Sequence, residues 1–409
     1  MTDLIEPQPA PPAVWRRALT TAGLVYLFSR VCVAVGAAIV AAGLRADENL
    51  RVEKFPWARW ASPYYAGKPI PKNALRPMID VLTGWDGVWY LRIVKHGYPA
   101  IVQAKVTYDV PDARAAFFPT YPILVKAFDT ILPGGADLAS LFVNFVLGAL
   151  VVWLVGLLAR SLFDVQVAQR AMILTALFPG SFVLSFAYTE ALLLVLAAAT
   201  FLLLMRHQWW TAGLVAALGT ATRPNGVALV AACAVAAWIA IRTNREWRAL
   251  AAPAIAPLGF LGFQLWLGRH THETMVWFRV QSEAWGEGTS FGSTALRRTW
   301  QAFIRPMTSP TNTITAVSVL TLVVLFWMLR RYRLPLMMTA YSIVVVALML
   351  LPETVTARPR FIFTAFPLLI PAAAWFEREK PHWWPWLLSC CAVGLVTLTA
   401  LYGVNAAVP

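Results

Sequence analysis

Apolar runs of about twenty residues, parted by short basic links or Pro/Gly breaks, recur along the chain, and each matches the length that crosses a bilayer as a helix. The first begins at Arg16-Arg17 and extends to about Ala42; the others fall near 138–160, 168–187, 188–206, 209–222, 225–242, 249–268, 311–330, 334–352, 360–376 and 383–405. This predicts an all-α integral membrane protein of about eleven transmembrane helices. Composition agrees: 59% of residues are hydrophobic and 13% charged, against about a quarter charged in soluble domains. The 19 Trp, 11 Tyr and 22 Phe suit two interfacial aromatic belts.

The net charge of +14 does not describe a nucleic-acid footprint, because the basic residues are scattered at helix ends and not gathered on one face. Anionic membrane lipids and phosphate are the expected partners, and nucleic acid is not. Cys32, Cys233, Cys390 and Cys391 lie in apolar runs and give neither a disulfide framework nor a metal pattern. The first apolar run is far longer than a signal-peptide core of about 7–15 residues, so it reads as a transmembrane helix.

Orientation follows from the basic residues at short loops. Arg160, Arg206, Arg242, Arg245, Arg248, Arg330, Arg331, Arg333, Arg378 and Lys380 all fall on the side of Arg16-Arg17. That side is cytoplasmic by the positive-inside rule, which leaves two outer loops, 44–137 and 269–308. The expected division is a tail over 1–15, a catalytic transmembrane region over 16–376, and a cytoplasmic loop with the last helix over 377–409. An excess of Arg over Lys fits a high-GC bacterial genome, hence a multi-pass protein of a bacterial plasma membrane with its active site facing outward. Helix punctuation at Phe178-Pro179-Gly180, Arg223-Pro224-Asn225-Gly226 and Ala357-Arg358-Pro359-Arg360 falls toward the outer face. Irregular backbone at that depth must be buried in protein or line a wet cavity.

Within the first outer loop, Trp85 to His96 patterns as a helix placing Asp86, Tyr90, Ile93 and Gly97 on one face. It is too apolar for a free surface and too short to span, so it is expected to lie in the outer interface, aromatic side down. Partial desolvation there favours a carboxylate as general base; equally, Asp86 is a residue type that caps helices. Phe117-Phe118-Pro119-Thr120-Tyr121-Pro122 introduces a second interfacial helix or anchor. Arg223, Arg358 and Arg360 sit at outer breaks, where a buried cation marks a functional site or a pairing, and a guanidinium fork fits phosphate; for Arg358 headgroup snorkelling is the competing reading. Glu190 either pairs with Arg223 or touches a substrate beside Tyr188. His270, His272 and Glu273 lack the His-Glu-x-x-His spacing of a zinc site, so no metal is expected. Gln281 and Trp285 are candidates for lining a substrate pocket.

Trp85-Asp86-x-x-Trp-Tyr-x-x-Ile93-x-x-x-Gly97-Tyr98, Phe117-Phe118-Pro119-x-Tyr121-Pro122, Leu177 to Phe182 with Ala187-Tyr188-Thr189-Glu190, Thr222 to Gly226, and Phe278-Arg279-Val-Gln281 together resemble the PIG-V family, mannosyltransferases of the GT-C superfamily, over roughly residues 20 to 370. The resemblance implies a GT-C type bundle with interfacial helices in its first outer loop. It also implies an inverting transferase whose donor is a polyprenyl-phosphate-linked sugar and whose acceptor is a glycolipid or lipoglycan. No cofactor is implied, the lipid-linked sugar being a co-substrate. In such enzymes an acidic residue of the first outer loop is the usual base, and Asp86 occupies that position. The extended insert leaves Asp109 and Asp112 as rivals. Trp85 and Tyr90 would flank the substrate. Alternatives are a transferase using another polyprenyl-linked sugar, a protein O-mannosyltransferase, a non-catalytic subunit, and a transporter of lipids or lipid-linked sugars, although the inner helix halves are apolar where alternating access needs polarity.

Overall fold

A computed structural model describes residues 12–46, 70–73, 75–108, 110–286, 288–353 and 356–404. Most of the tail, the loop segment 47–69 and Asp109 lie outside them. The chain is helical throughout: α1 (Pro12–Ala46), α2 (Leu75–Leu82), α3 (Asp86–His96), α4 (Thr120–Asp129), α5 (Gly135–Leu162), α6 (Val165–Leu177), α7 (Glu190–Met205), α8 (Trp209–Thr220) and α9 (Ala228–Asn244) form the first half. Then come α10 (Ala251–Ile255), α11 (Leu258–His270), α12 (Val276–Trp285), α13 (Ser293–Ile304), α14 (Pro310–Arg331), α15 (Leu336–Leu350), α16 (Pro359–Thr364), α17 (Leu369–Arg378) and α18 (Trp384–Gly403). No strand occurs among the described residues; Thr289 and Pro352 form an isolated antiparallel bridge.

Among the described residues, six helical stretches are long and apolar enough to cross a membrane: Pro12–Ala46, Gly135–Leu162, Pro224–Asn244, Trp247–His270, Pro310–Arg331 and Pro381–Gly403. Val165–Leu177, Glu190–Met205 and Leu336–Leu350 are apolar but shorter. The chain is a multi-pass membrane protein; the described helices do not confirm the expected count of about eleven spans, and two of the expected runs are divided. Proline fixes φ and removes a donor, so the runs 168–187 and 360–376 break. The first stops at Leu177 and continues as a 3-10 turn over Pro179–Leu184; the second divides into α16, another 3-10 turn and α17.

The two breaks pack on each other. A Cβ at Gly180 would lie 2.2 Å from the Pro359 carbonyl oxygen, so only glycine permits this backbone approach. Arg30, in the middle of α1, fixes the first break by donating to the Ser181 carbonyl at 2.9 Å, to Ser185 Oγ at 2.9 Å and to the Ala176 carbonyl at 3.3 Å. A buried cation inside a span is thereby used as backbone glue, with neutral oxygens as partners.

One end of the bundle collects the basic helix termini. Arg160 stacks on Trp15 at 4.8 Å, Arg170 pairs with Glu377 and stacks on Trp384 at 4.8 Å, and Arg378 pairs with Asp164 at 3.2 Å. The three Pro-containing breaks and α3 gather at the opposite end.

Candidate active site

The cavity at that opposite end encloses about 720 Å³. Its wall draws on six parts of the chain: Trp85, Asp86 and Tyr90 around the start of α3; Tyr108 and Phe117; Arg223 and Asn225; Gln281, Glu283 and Trp285 of α12; Leu348, Met349 and Pro352 around the end of α15; and Arg360 and Phe361 of α16.

α3 begins at an unusual backbone. Trp85 precedes it at φ 53°, a left-handed conformation rare for a bulky residue; such strain costs on the order of 1–3 kcal/mol and must be held by its surroundings. Here the indole Nε1 donates to the Tyr402 carbonyl at 2.9 Å, and a Cβ at Gly87 would come within 3.2 Å of Ala187 Cβ, so the turn is clamped from α18 and from the α7 approach. Asp86 is the first residue of the helix, an acidic side chain in the first turn as the dipole favours. Its carboxylate does not serve as a cap: Oδ2 accepts from Arg360 Nη1 at 2.7 Å, with the side chain a quarter exposed to the cavity.

Arg360 Nη1 is also 3.8 Å from Glu190 Oε1, and the same carboxylate oxygen pairs with Arg223. Asp86, Arg360, Glu190 and Arg223 therefore make one alternating chain of charge. Glu190 is only 1% exposed and lies behind the cavity wall. Two carboxylates so balance two guanidiniums, which reduces the cost of burying either cation. The Arg360 guanidinium further sits 5.5 Å over Tyr188 and 4.7 Å over Phe361.

The aromatic wall is a connected set. Trp89 meets Tyr108 edge-on at 5.5 Å and stacks with Phe117 at 6.0 Å, while Trp285 meets Tyr108 at 5.3 Å and Phe117 at 5.6 Å. Trp285, Phe117 and Tyr108 face the cavity and Trp89 packs behind them. Burial, with the Asp86 charge adding to it, pushes the Tyr108 phenol up, so it keeps its proton in the wall. α12 is bolted over this set: Trp277 Nε1 donates to the Ala116 carbonyl at 2.9 Å, Arg279 donates to the Gln103 carbonyl at 3.0 Å, and Glu283 accepts from the Val106 amide at 2.9 Å.

Of the residues singled out in the sequence, Trp85, Asp86, Tyr90, Arg223, Gln281, Trp285 and Arg360 converge on the cavity. Tyr188 and Glu190 back it from the buried side. Arg358 is elsewhere: it is 1% exposed and donates to the Thr311 carbonyl at 3.3 Å and Thr315 Oγ1 at 3.1 Å on α14. As the extended residue preceding α16, it leaves the helix on a different side from Arg360. Asp112 accepts from the Gln103 amide at 3.3 Å within its own loop and is not in the cavity wall. The aromatic side of α3 faces protein and not lipid: Trp89 is fully buried beneath α12 and the 108–117 segment, which corrects the expectation of an interfacial helix lying aromatic side down. Tyr108, Asn225, Glu283 and Phe361 were missed. Glu283 stands four residues after Arg279, with which it pairs at 3.1 Å, and that spacing was the available signal. Among the described residues no three His, Cys, Asp or Glu side chains come together as a metal site; Glu273 accepts from Arg279 through both oxygens, at 2.6 Å each.

Residues 67–242 match the model of a family described as Mannosyltransferase (PIG-V). The matched segment includes α3, Glu190 and Arg223. Over that stretch the chain is similar to the PIG-V family. No curated protein matches it. Among solved structures, ArnT from Cupriavidus metallidurans, crystallised with undecaprenyl phosphate, aligns with TM-score 0.50 and 15% identity over 74% of this chain and 57% of ArnT. The oligosaccharyltransferase of Archaeoglobus fulgidus, tethered to an acceptor peptide, aligns with TM-score 0.39 and 15% identity over 92% of this chain and 55% of its own. The chain thus shares the fold of ArnT and spans little more than half the length of that structure. Mannosyl transfer is what the description of the matched family names.

Proposed function

We propose that the chain transfers mannose from polyprenyl-phosphate-mannose to a hydroxyl of a glycolipid or lipoglycan, with inversion, at the outer face of a bacterial plasma membrane. The observation that carries this reading is the meeting of one cavity-facing carboxylate, Asp86, with two guanidiniums, Arg360 and Arg223, inside an aromatic cavity of a PIG-V-like chain. ArnT, a solved structure of like fold, is bound to undecaprenyl phosphate, and that likeness supports a lipid-linked donor. The division into an amino-terminal tail, a catalytic region over 16–376 and a terminal helix is part of the same proposal.

In the reaction, the acceptor hydroxyl gives its proton to Asp86 as its oxygen bonds to the anomeric carbon. The bond from that carbon to the phosphate oxygen breaks, and its electron pair leaves with the polyprenyl phosphate. Arg360 and Arg223 meet the charge growing on that oxygen, as preorganised donors do at an oxyanion. A β-linked donor then gives an α-linked product. Arg360 has two anionic partners to choose between, Asp86 and the donor phosphate. Donor entry draws it to the phosphate and opens the Asp86 carboxylate to the acceptor. Leu348 and Met349 give the apolar part of the wall, suited to the first isoprene units.

The test is a transfer assay on protein reconstituted in lipid, with radiolabelled polyprenyl-phosphate-mannose and a membrane lipid extract. A labelled glycolipid supports the proposal. Bound donor without any labelled product, or label carried across the membrane unchanged, overturns it.

A further inference from the structure

Helix α13 exposes an apolar face that has no partner among the described residues. Its 12 residues reach about 18 Å at 1.5 Å each, too short to cross a bilayer. Thr294 and Ala295 are buried on the side packed against α14, whereas Leu296, Trp300, Phe303, Ile304 and Met307, just past the helix end, are 69%, 65%, 62%, 53% and 89% exposed. Positions 296, 300, 303 and 304 form a single helical stripe, and Met307 adds exposed apolar surface just beyond it. Exposed Arg297 borders it and exposed Arg305 closes the helix, and the sequence holds no Asp or Glu from Gly288 to Pro352. An apolar stripe with a Trp, edged only by arginines, fits the boundary between acyl chains and anionic headgroups. The membrane is already next door, since α14, one of the six long spans, starts at Pro310.

The helix is also tied to the cavity mouth. The Ser290 amide donates to the Leu351 carbonyl at 2.7 Å and the Glu353 amide to the Gly288 carbonyl at 3.0 Å, flanking the Thr289 and Pro352 bridge. Gly286 and Pro352 are themselves cavity wall. We propose that α13 is an in-plane anchor that binds the surface of an anionic leaflet and holds the cavity rim at headgroup level. This stands whether or not the chain transfers mannose.

The full chain, carrying a benzophenone amino acid at position 300 or 303, is reconstituted in vesicles of phosphatidylcholine with phosphatidylglycerol in equal amounts and irradiated. A third version carries the probe at position 214, where Leu214 is 58% exposed on α8 and serves as a lipid-facing reference. Adducts at 300 and 303 are expected to favour phosphatidylglycerol severalfold over the reference, and Arg297→Gln with Arg305→Gln to bring that preference back to the level of position 214. The substituted sites are exposed, so folding is not at stake, and the position 214 adduct verifies insertion. Adducts without headgroup preference, no lipid adduct at all, or cross-links between two copies of the chain would each overturn the proposal.

Discussion

Asp86 and Arg360 come from positions 274 residues apart and meet at 2.7 Å, the carboxylate opening on the cavity while the guanidinium is held from behind by Glu190 at 3.8 Å. The pairing joins α3 to the Pro-broken helix α16 near the carboxyl end, so the site exists only when both halves of the bundle are assembled.

Arg360→Ala is expected to reduce transfer by about 10²–10³-fold, the usual loss on removing one donor aimed at a developing oxyanion. Donor affinity should fall more than acceptor affinity. Steady-state kinetics with each substrate varied in turn checks this; a loss confined to the acceptor would reassign Arg360.

Glu190→Gln leaves Arg223 and Arg360 with Asp86 as their remaining carboxylate. Breaking a buried pair from one side costs about 3–5 kcal/mol, so the melting temperature in detergent should drop markedly. The double change Glu190→Gln with Arg223→Gln is expected to recover part of it, because the orphaned charge is gone. A Glu190→Gln protein as stable as the parent would show that the carboxylate is not the counter-charge.

Gly180→Ala tests the contact between the two broken helices. Its Cβ has no room beside the Pro359 carbonyl, and overpacking of this kind costs about 1–3 kcal/mol. Gly262→Ala, where nothing lies within 4 Å of the new methyl, should be neutral or slightly stabilising. Equal stability of the two variants, measured by thermal unfolding, would mean that the breaks can separate freely.

The Glu273–Arg279 pair at the start of α12 has a pH dependence of definite sign. Hydrogen bonds from Arg279 hold the Glu273 carboxyl below its ordinary value, and burial opposes them only in part. A group depressed in the folded state adds stability above its unfolded value of about 4.3 and loses it as pH falls through the folded one. Protection factors across 273–283, which are exchange rates corrected for the intrinsic pH dependence of amide exchange, should therefore be high at pH 7 and lower below pH 4, and Glu273→Gln should flatten the difference. Protection factors equal at both pH values would deny the pair any role in fastening α12.

The fold class was legible because bilayer thickness imposes a run length, and the clustering of Arg223, Arg360 and Asp86 was legible because each stands beside Pro or Gly in an otherwise apolar chain. What was hidden depends on rotation and on long-range contact. Nothing in Arg358-Pro359-Arg360 tells which arginine turns toward the cavity until the helix start is fixed. The apolar side of α3 was read as lipid-facing, but α12, about 190 residues later, covers it and leaves α13 to expose an apolar stripe. Arg30 gave no punctuation signal, since its partners are carbonyls and hydroxyls of a break some 150 residues away.

The most direct measurement compares wild type with Asp86→Asn in reconstituted membranes, reading donor binding and sugar transfer on the same preparations. Asparagine keeps the shape of the side chain and an oxygen for Arg360 but cannot accept the hydroxyl proton. The expected result is a fall in transfer of at least about 10²-fold, the scale of general-base catalysis, with donor binding retained. Transfer near the wild-type rate would contradict Asp86 as the base.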